Sequence, residues 1–81
     1  MEQKLSRDRR IAEYIGKAMA EARLRKGITQ VSMSKHLSMA VNSYRRYESG
    51  AMAIRSNELF KFAQATECSI AELFPKVGSD F

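Results

Sequence analysis

The stretch Thr29–Gly50, TQVSMSKHLSMAVNSYRRYESG, decides how this chain folds. Its apolar residues follow the spacing of two short helices that share one buried side across a tight turn: Met33, Leu37, Met39, Tyr44 and Tyr47. The same spacing turns the polar residues of the second helix to the opposite side, among them Asn42, Arg45 and Arg46. Because Arg can pair with guanine and Asn with adenine, this face predicts a helix that reads DNA. An ordinary solvated charged face is the alternative.

Length and composition predict one small all-helical domain. The chain has 81 residues, of which 44% are hydrophobic, and this is enough apolar material for a single core. It contains one proline and four glycines, and its apolar residues show almost no regular alternation. We therefore predict an all-α, five-helix fold in a single domain, residues 1–81, with a core at about 11–75 and short flexible ends.

Start and stop signals place the first two helices. A long amphipathic helix is predicted to begin at Ser6 or Asp8, after a frayed start, and to end near Lys26. The second helix, at about 30–37, is predicted to be capped by the hydroxyl of Thr29.

The remaining helices are shorter. The third is predicted at 41–49, where a glycine ends it, and the fourth begins near Ser56. A fifth helix is predicted to open with a capping box of Ser69 and Glu72 and to stop at Pro75.

Charge is concentrated in the first two thirds of the chain. The formal net charge is +5, and residues 1–28 carry eight basic and four acidic groups, whereas residues 57–81 carry two and four. This distribution predicts a polyanionic partner, either nucleic acid or an anionic lipid surface. The alanine-rich spacing of the first helix favours packing against other helices over lying on a membrane.

Several function classes find no support in the sequence. Cys68 is the only cysteine, so we expect no intrachain disulfide, no zinc cluster, no metal and no cofactor. No apolar run has the length of a membrane helix or follows a signal-type start, so a cytoplasmic protein is expected. Without a repeated histidine, a paired acid or a glycine-rich phosphate loop, we expect no enzyme.

Glu48 is the only acidic residue in the central third of the chain. It lies on the same side of its helix as Tyr44, toward the core, and a buried carboxylate needs a partner. Arg23, at the end of the first helix, is the candidate.

The whole pattern resembles the lambda-repressor-like, or Cro/C1-type (XRE family), helix-turn-helix domains. The family pattern is Ser/Thr-Gln, then Leu-Ala, Leu-Gly-Val, Ile and Glu-x-Gly. The residues of this chain that match it without gaps are Thr29, Gln30, Met33, Ser34, Leu37, Met39, Tyr44, Tyr47, Glu48 and Gly50.

The resemblance implies that the third helix lies in the major groove of double-stranded DNA. The base-reading candidates that it implies are Val41, Asn42, Ser43, Arg45 and Arg46. The phosphate-binding candidates are Thr29, Gln30, Ser49 and Arg55. Arg23 and Glu48 match a structural ion pair of the family, in agreement with the burial argument.

Several positions depart from the family pattern. Ser38 stands in the turn where the family usually has Gly, and a left-handed conformation there would cost about 1 kcal/mol. Ala40 replaces the usual Ser or Thr cap of the third helix, and Glu67 replaces a Gly after the fourth.

Relatives generally bind DNA as two-fold dimers, so the resemblance implies a homodimeric transcription regulator that binds an operator. The predicted dimer surface consists of Phe60, Phe74, Met52 and Ile54. For Phe74, closing the core is an equal alternative. A protein-interaction module, such as an antitoxin or adaptor whose DNA binding is secondary, is the alternative function.

Overall fold

The computed structural model describes residues 2–76 and 78, and side chains from residue 7 onward. In this part of the chain all regular structure is helical, as predicted. Four α-helices are followed by one turn of 3-10 helix: α1 Glu2–Arg25, α2 Gln30–His36, α3 Val41–Ser49, α4 Ser56–Thr66 and the 3-10 turn Ile70–Leu73.

The start of α1 differs from the prediction. The helix begins at Glu2, so the predicted start at Ser6 or Asp8 and the frayed segment before it are wrong for residues 2–6. Neither glycine nor proline interrupts this segment, and most of its residues are good helix formers. The predicted loose C-terminal end covers residues 76–81, of which 77 and 79–81 lie outside the described part.

The predicted fifth α-helix is also corrected, because it is a 3-10 turn of four residues. Ser69 precedes this turn, but its side chain forms no capping hydrogen bond, so the predicted capping box is wrong. In the 3-10 geometry the amide of Glu72 donates to the carbonyl of Ser69 at 3.1 Å. The backbone therefore occupies the amide that the serine hydroxyl would have bound.

The core lies where α1, α2, α3 and α4 meet. Met33 and Leu37 of α2 and Tyr44 and Tyr47 of α3 are all buried, as the apolar spacing predicted. The other buried members of this cluster are Met19, Ala22, Leu59, Phe62 and Leu73. The two short helices thus share one inner side, and this fixes which side of α3 faces outward.

Two glycines allow α1 to lie directly on the end of α3. A Cβ atom at Gly16 would stand 2.4 Å from the carbonyl oxygens of both Tyr47 and Glu48. Gly50 ends α3 with a φ of 81°, and a Cβ there would stand 2.6 Å from the Cα of Glu13. Side chains at either position would push the two helices apart.

The departures from the family pattern have structural consequences. Ser38 and Glu67 adopt left-handed conformations with φ of 57° and 55°, which cost a residue other than glycine about 1 kcal/mol each. Ala40 precedes α3 without a side-chain cap. Thr29, in contrast, caps α2 as predicted, because its Oγ1 accepts a 3.0 Å hydrogen bond from the amide of Ser32.

Candidate nucleic-acid interface

The outward side of α3 is set by the two tyrosines that anchor its inner side. Tyr44 is fully buried and its hydroxyl donates to Glu48, while the Tyr47 hydroxyl donates to Glu58 Oε1 at 2.8 Å. Burial, followed by these carboxylate contacts, raises the pKa of both phenols. Both tyrosines therefore stay neutral and hold α3 by packing and by a hydrogen bond at the ring tip.

The polar residues of α3 that the sequence singled out lie on the opposite side. Asn42, Arg45 and Arg46 are exposed, whereas Val41 and Ser43 are half-buried. The guanidinium of Arg46 makes no hydrogen bond or ion pair with any residue that the structure describes. Arg45 and Asn42 instead contact each other, since Arg45 Nη1 donates to Asn42 Oδ1 at 3.2 Å.

Beneath this face, Arg23 of α1 and Glu48 of α3 form a buried ion pair. Arg23 Nε stands 2.6 Å from Glu48 Oε2 and Nη2 stands 3.2 Å from Oε1, and the two side chains are 9% and 8% exposed. The remaining Arg23 nitrogen, Nη1, donates to the carbonyl of Ile28 at 2.8 Å. The pair therefore ties the end of α1 to both α3 and the segment before α2.

The electrostatics of this pair favour the charged state of both groups. Burial alone would raise the pKa of Glu48, but hydrogen bonds from Arg23, Tyr44 and Gln30 outweigh it and lower the pKa below its usual value. The hydrogen bond to Glu48 raises the pKa of Arg23 above its usual value, against the effect of burial.

Gln30, in the first turn of α2, connects the ion pair to the outer face. Its Nε2 donates to Glu48 Oε1 at 2.9 Å, and its Oε1 accepts from Arg45 Nε at 3.2 Å. Sequence reasoning placed Gln30 at a phosphate and did not find these links. The helical period orders residues along one helix, but it does not report which side chains from two helices meet.

The other three candidate phosphate residues lie at helix ends: Thr29 before α2, Ser49 at the end of α3 and Arg55 before α4. Thr29 is exposed and uses its oxygen as the α2 cap. The Ser49 hydroxyl donates to the carbonyl of Arg46 at 3.2 Å and accepts from the amide of Ala51 at 3.3 Å, so it closes the end of α3. Arg55 is exposed immediately before α4.

The residues predicted for dimer contact are apolar, and most of their side chains are exposed. Phe60 is 53% exposed, Phe74 41% and Met52 37%, whereas Ile54 is half-buried against the core. Ile54 and Phe74 also line a groove between α1, α3 and α4. Phe74 thus packs partly against the domain while a large part of its ring stays exposed.

The described residues contain neither a membrane-spanning helix nor a metal-binding cluster. None of the helices found there has the length and apolar character needed to cross a membrane. No group of three or more His, Cys, Asp or Glu side chains in that part of the chain could hold a metal ion.

The fold agrees with that of a known protein family and of several solved structures. A family model described as helix-turn-helix matches residues 19–73. The clp gene regulator ClgR from Corynebacterium glutamicum is 22% identical, with a TM-score of 0.71 over 76% of this chain and 80% of that one. A search of curated proteins found no significant match.

Two further structures share the fold. The restriction-modification controller protein C.AhdI from Aeromonas hydrophila is 22% identical, with a TM-score of 0.71 over 78% of this chain and 96% of that chain. The protein FeII HppE is 17% identical, with a TM-score of 0.74 over 88% of this chain but only 38% of its own. At these identities, the likenesses show a shared fold.

Proposed function

Because the chain belongs to the Cro/C1-type helix-turn-helix family of DNA-binding transcription regulators, we propose that it binds operator DNA as a homodimer, with α3 in the major groove. The observation that carries the proposal is the orientation of α3. Its tyrosines are buried, and Asn42, Arg45 and Arg46 are exposed on the other side.

Base reading is assigned to the first turns of α3. Arg46 has an exposed guanidinium that can pair with guanine, and Val41 can pack on a thymine methyl group. Asn42, Ser43 and Arg45 complete the reading surface. The net charge of +5 supports the polyanionic partner that this surface requires.

Phosphate contacts are assigned to residues at the edges of this surface. Gln30 has a second amide hydrogen beyond the one that Glu48 accepts, and Arg55 offers an exposed guanidinium at the start of α4. Thr29 and Ser49 are the remaining phosphate candidates, although their hydroxyl oxygens already serve the ends of α2 and α3.

A homodimer would give the protein two reading helices. One domain of this size makes too few base contacts for a specific site, and two-fold dimers bind half-sites about 34 Å apart. The proposed dimer surface consists of the exposed side chains Phe60, Phe74 and Met52 with the half-buried Ile54, because large exposed apolar side chains can be covered in a protein contact. The same surface would also suit a partner protein, which is the second candidate function.

Selection of bound sites from a random DNA pool tests the proposal. We expect a palindromic motif, since a two-fold dimer reads two identical half-sites. Sedimentation of the free protein at micromolar concentration separates the two candidates. A dimer supports the regulator proposed here, whereas a monomer that selects no motif would leave the protein-interaction module in its place.

A further inference from the structure

A chain of side-chain hydrogen bonds joins the buried ion pair to the outer face of α3. Glu48 Oε1 accepts from Gln30 Nε2 at 2.9 Å, and Gln30 Oε1 accepts from Arg45 Nε at 3.2 Å. Arg45 Nη1 then donates to Asn42 Oδ1 at 3.2 Å. From the interior to the surface, the order is Glu48, Gln30, Arg45 and Asn42.

Donor and acceptor chemistry allows the two amides in this series of hydrogen bonds only one orientation. An ionised carboxylate only accepts hydrogen bonds and a guanidinium only donates them, whereas a primary amide does both. Gln30 must therefore turn its nitrogen to Glu48 and its oxygen to Arg45, and Asn42 must turn its oxygen to Arg45. Glu48 cannot rotate to suit Gln30, because Arg23 and Tyr44 hold its carboxylate from the other side.

The two outermost side chains consequently present N–H donors to a ligand. Guanine offers two acceptors, N7 and O6, in the major groove, whereas adenine and cytosine each place an amino donor there. Arg45 donates Nε to Gln30 and one Nη1 hydrogen to Asn42, so its other guanidinium N–H groups remain for the two acceptors of guanine.

We infer that Gln30 is a positioning residue, fixed by Glu48, that orients Arg45 and Asn42 as a joint reader of guanine. The inference rests on the proposed function, since it takes α3 to lie in the major groove. It adds a specificity role for Gln30 to the phosphate contact, and it assigns guanine to the base that Arg45 reads.

Site selection with substituted proteins tests this role. Arg45→Ala identifies the base position that Arg45 reads, and the wild-type protein is expected to select guanine there. Gln30→Met keeps the side-chain length but removes both amide groups. It is expected to lower the preference for guanine at that position roughly three- to tenfold, the effect of losing one orienting hydrogen bond, and to leave other positions unchanged.

Three controls distinguish positioning from phosphate binding or from damage to the fold. Arg55→Ala should weaken binding to all sites alike and leave the base preferences intact. In the Arg45→Ala background, Gln30→Met should not change the preference further, because Gln30 acts through Arg45. Gln30→Ala provides a second variant with the strongest helix former in the first turn, and circular dichroism checks the helix content of each protein.

The outcomes separate this inference from the proposed function. If the wild-type protein selects a palindromic motif but Gln30→Met and Gln30→Ala weaken every site equally, Gln30 is a phosphate contact only and the inference is overturned. Selection of adenine or thymine at the position that Arg45 reads overturns it as well. A wild-type protein that selects no motif at all contradicts the proposed function itself, and the inference with it.

Discussion

Replacing Glu48 by glutamine should destabilise the domain because it leaves the charge of Arg23 buried without its counter-ion. The substitution keeps the size of the side chain but places an amide nitrogen, a donor, among the donors of Arg23, Tyr44 and Gln30. Both members of the ion pair are at least nine-tenths buried in their side chains. We expect a loss of about 3 kcal/mol, near the lower end of the range for removing one partner of a buried pair.

This loss is large on the scale of the whole molecule. A domain of this length is expected to have a free energy of unfolding of about 4–12 kcal/mol. Urea denaturation followed by circular dichroism measures the difference, and Glu21→Gln, an exposed carboxylate of α1, is the matched control. A Glu48→Gln protein as stable as the Glu21→Gln protein would refute the account of Glu48 as a buried counter-ion.

The same pair predicts a dependence of stability on pH. Because the pKa of Glu48 is lowered in the folded state, its contribution is fully present above the ordinary glutamate pKa of about 4.3. It should be lost as the pH falls through the lower, folded pKa, where Glu48 becomes protonated. Between pH 7 and acid pH the wild-type protein should therefore lose more stability than Glu48→Gln does, and parallel curves would contradict this.

Three further predictions concern packing, base reading and assembly. Gly16→Ala should cost about 1–3 kcal/mol in urea denaturation, because its Cβ would stand 2.4 Å from backbone oxygens of α3; an unchanged midpoint would contradict the close approach. Arg46→Ala should cost about 1–3 kcal/mol of binding at one base position, measured by fluorescence anisotropy on single-base operator variants; an equal loss on all variants would mean that Arg46 contacts phosphate instead. Phe60→Asp should convert a dimer into a monomer in sedimentation without changing the helix content, because Phe60 is 53% exposed; a persistent dimer would place the interface elsewhere.

The helices of the central region were predictable because their packing follows one period. The residues Met33, Leu37, Tyr44 and Tyr47 lie on one side of two helices, and this spacing alone indicates burial. A Glu48 carboxylate on the inner side of its helix needs a cationic partner, and Arg23 at the end of the first helix was the predicted one. The two side chains are in contact.

Other features depend on geometry that a linear pattern does not carry. The sequence has no strong capping signal that marks the first residue of α1. Good helix formers continue back to Glu2, so the pattern does not show that the helix begins before Ser6. The residues Ser69 and Glu72 have the spacing of a capping box, but that motif needs an α-helical turn, and the turn here is 3-10.

The close contact at Gly16 and the role of the Gln30 amide were missed for different reasons. The signal for Gly16 was present, since a glycine inside a helical pattern costs about 1 kcal/mol and therefore suggests a close contact. The role of Gln30 depends on the side chains of α2 and α3 meeting in space, and the sequence contains no marker for that encounter.

The central claim, that the outward side of α3 contacts DNA, is tested most directly by NMR. Protein labelled with ¹⁵N is titrated with the selected operator duplex, and the amide and arginine Nε shifts are followed. The account predicts that the largest changes fall at Gln30 and along residues 41–46. Changes concentrated around Phe60 and Phe74, with α3 unmoved, would contradict it.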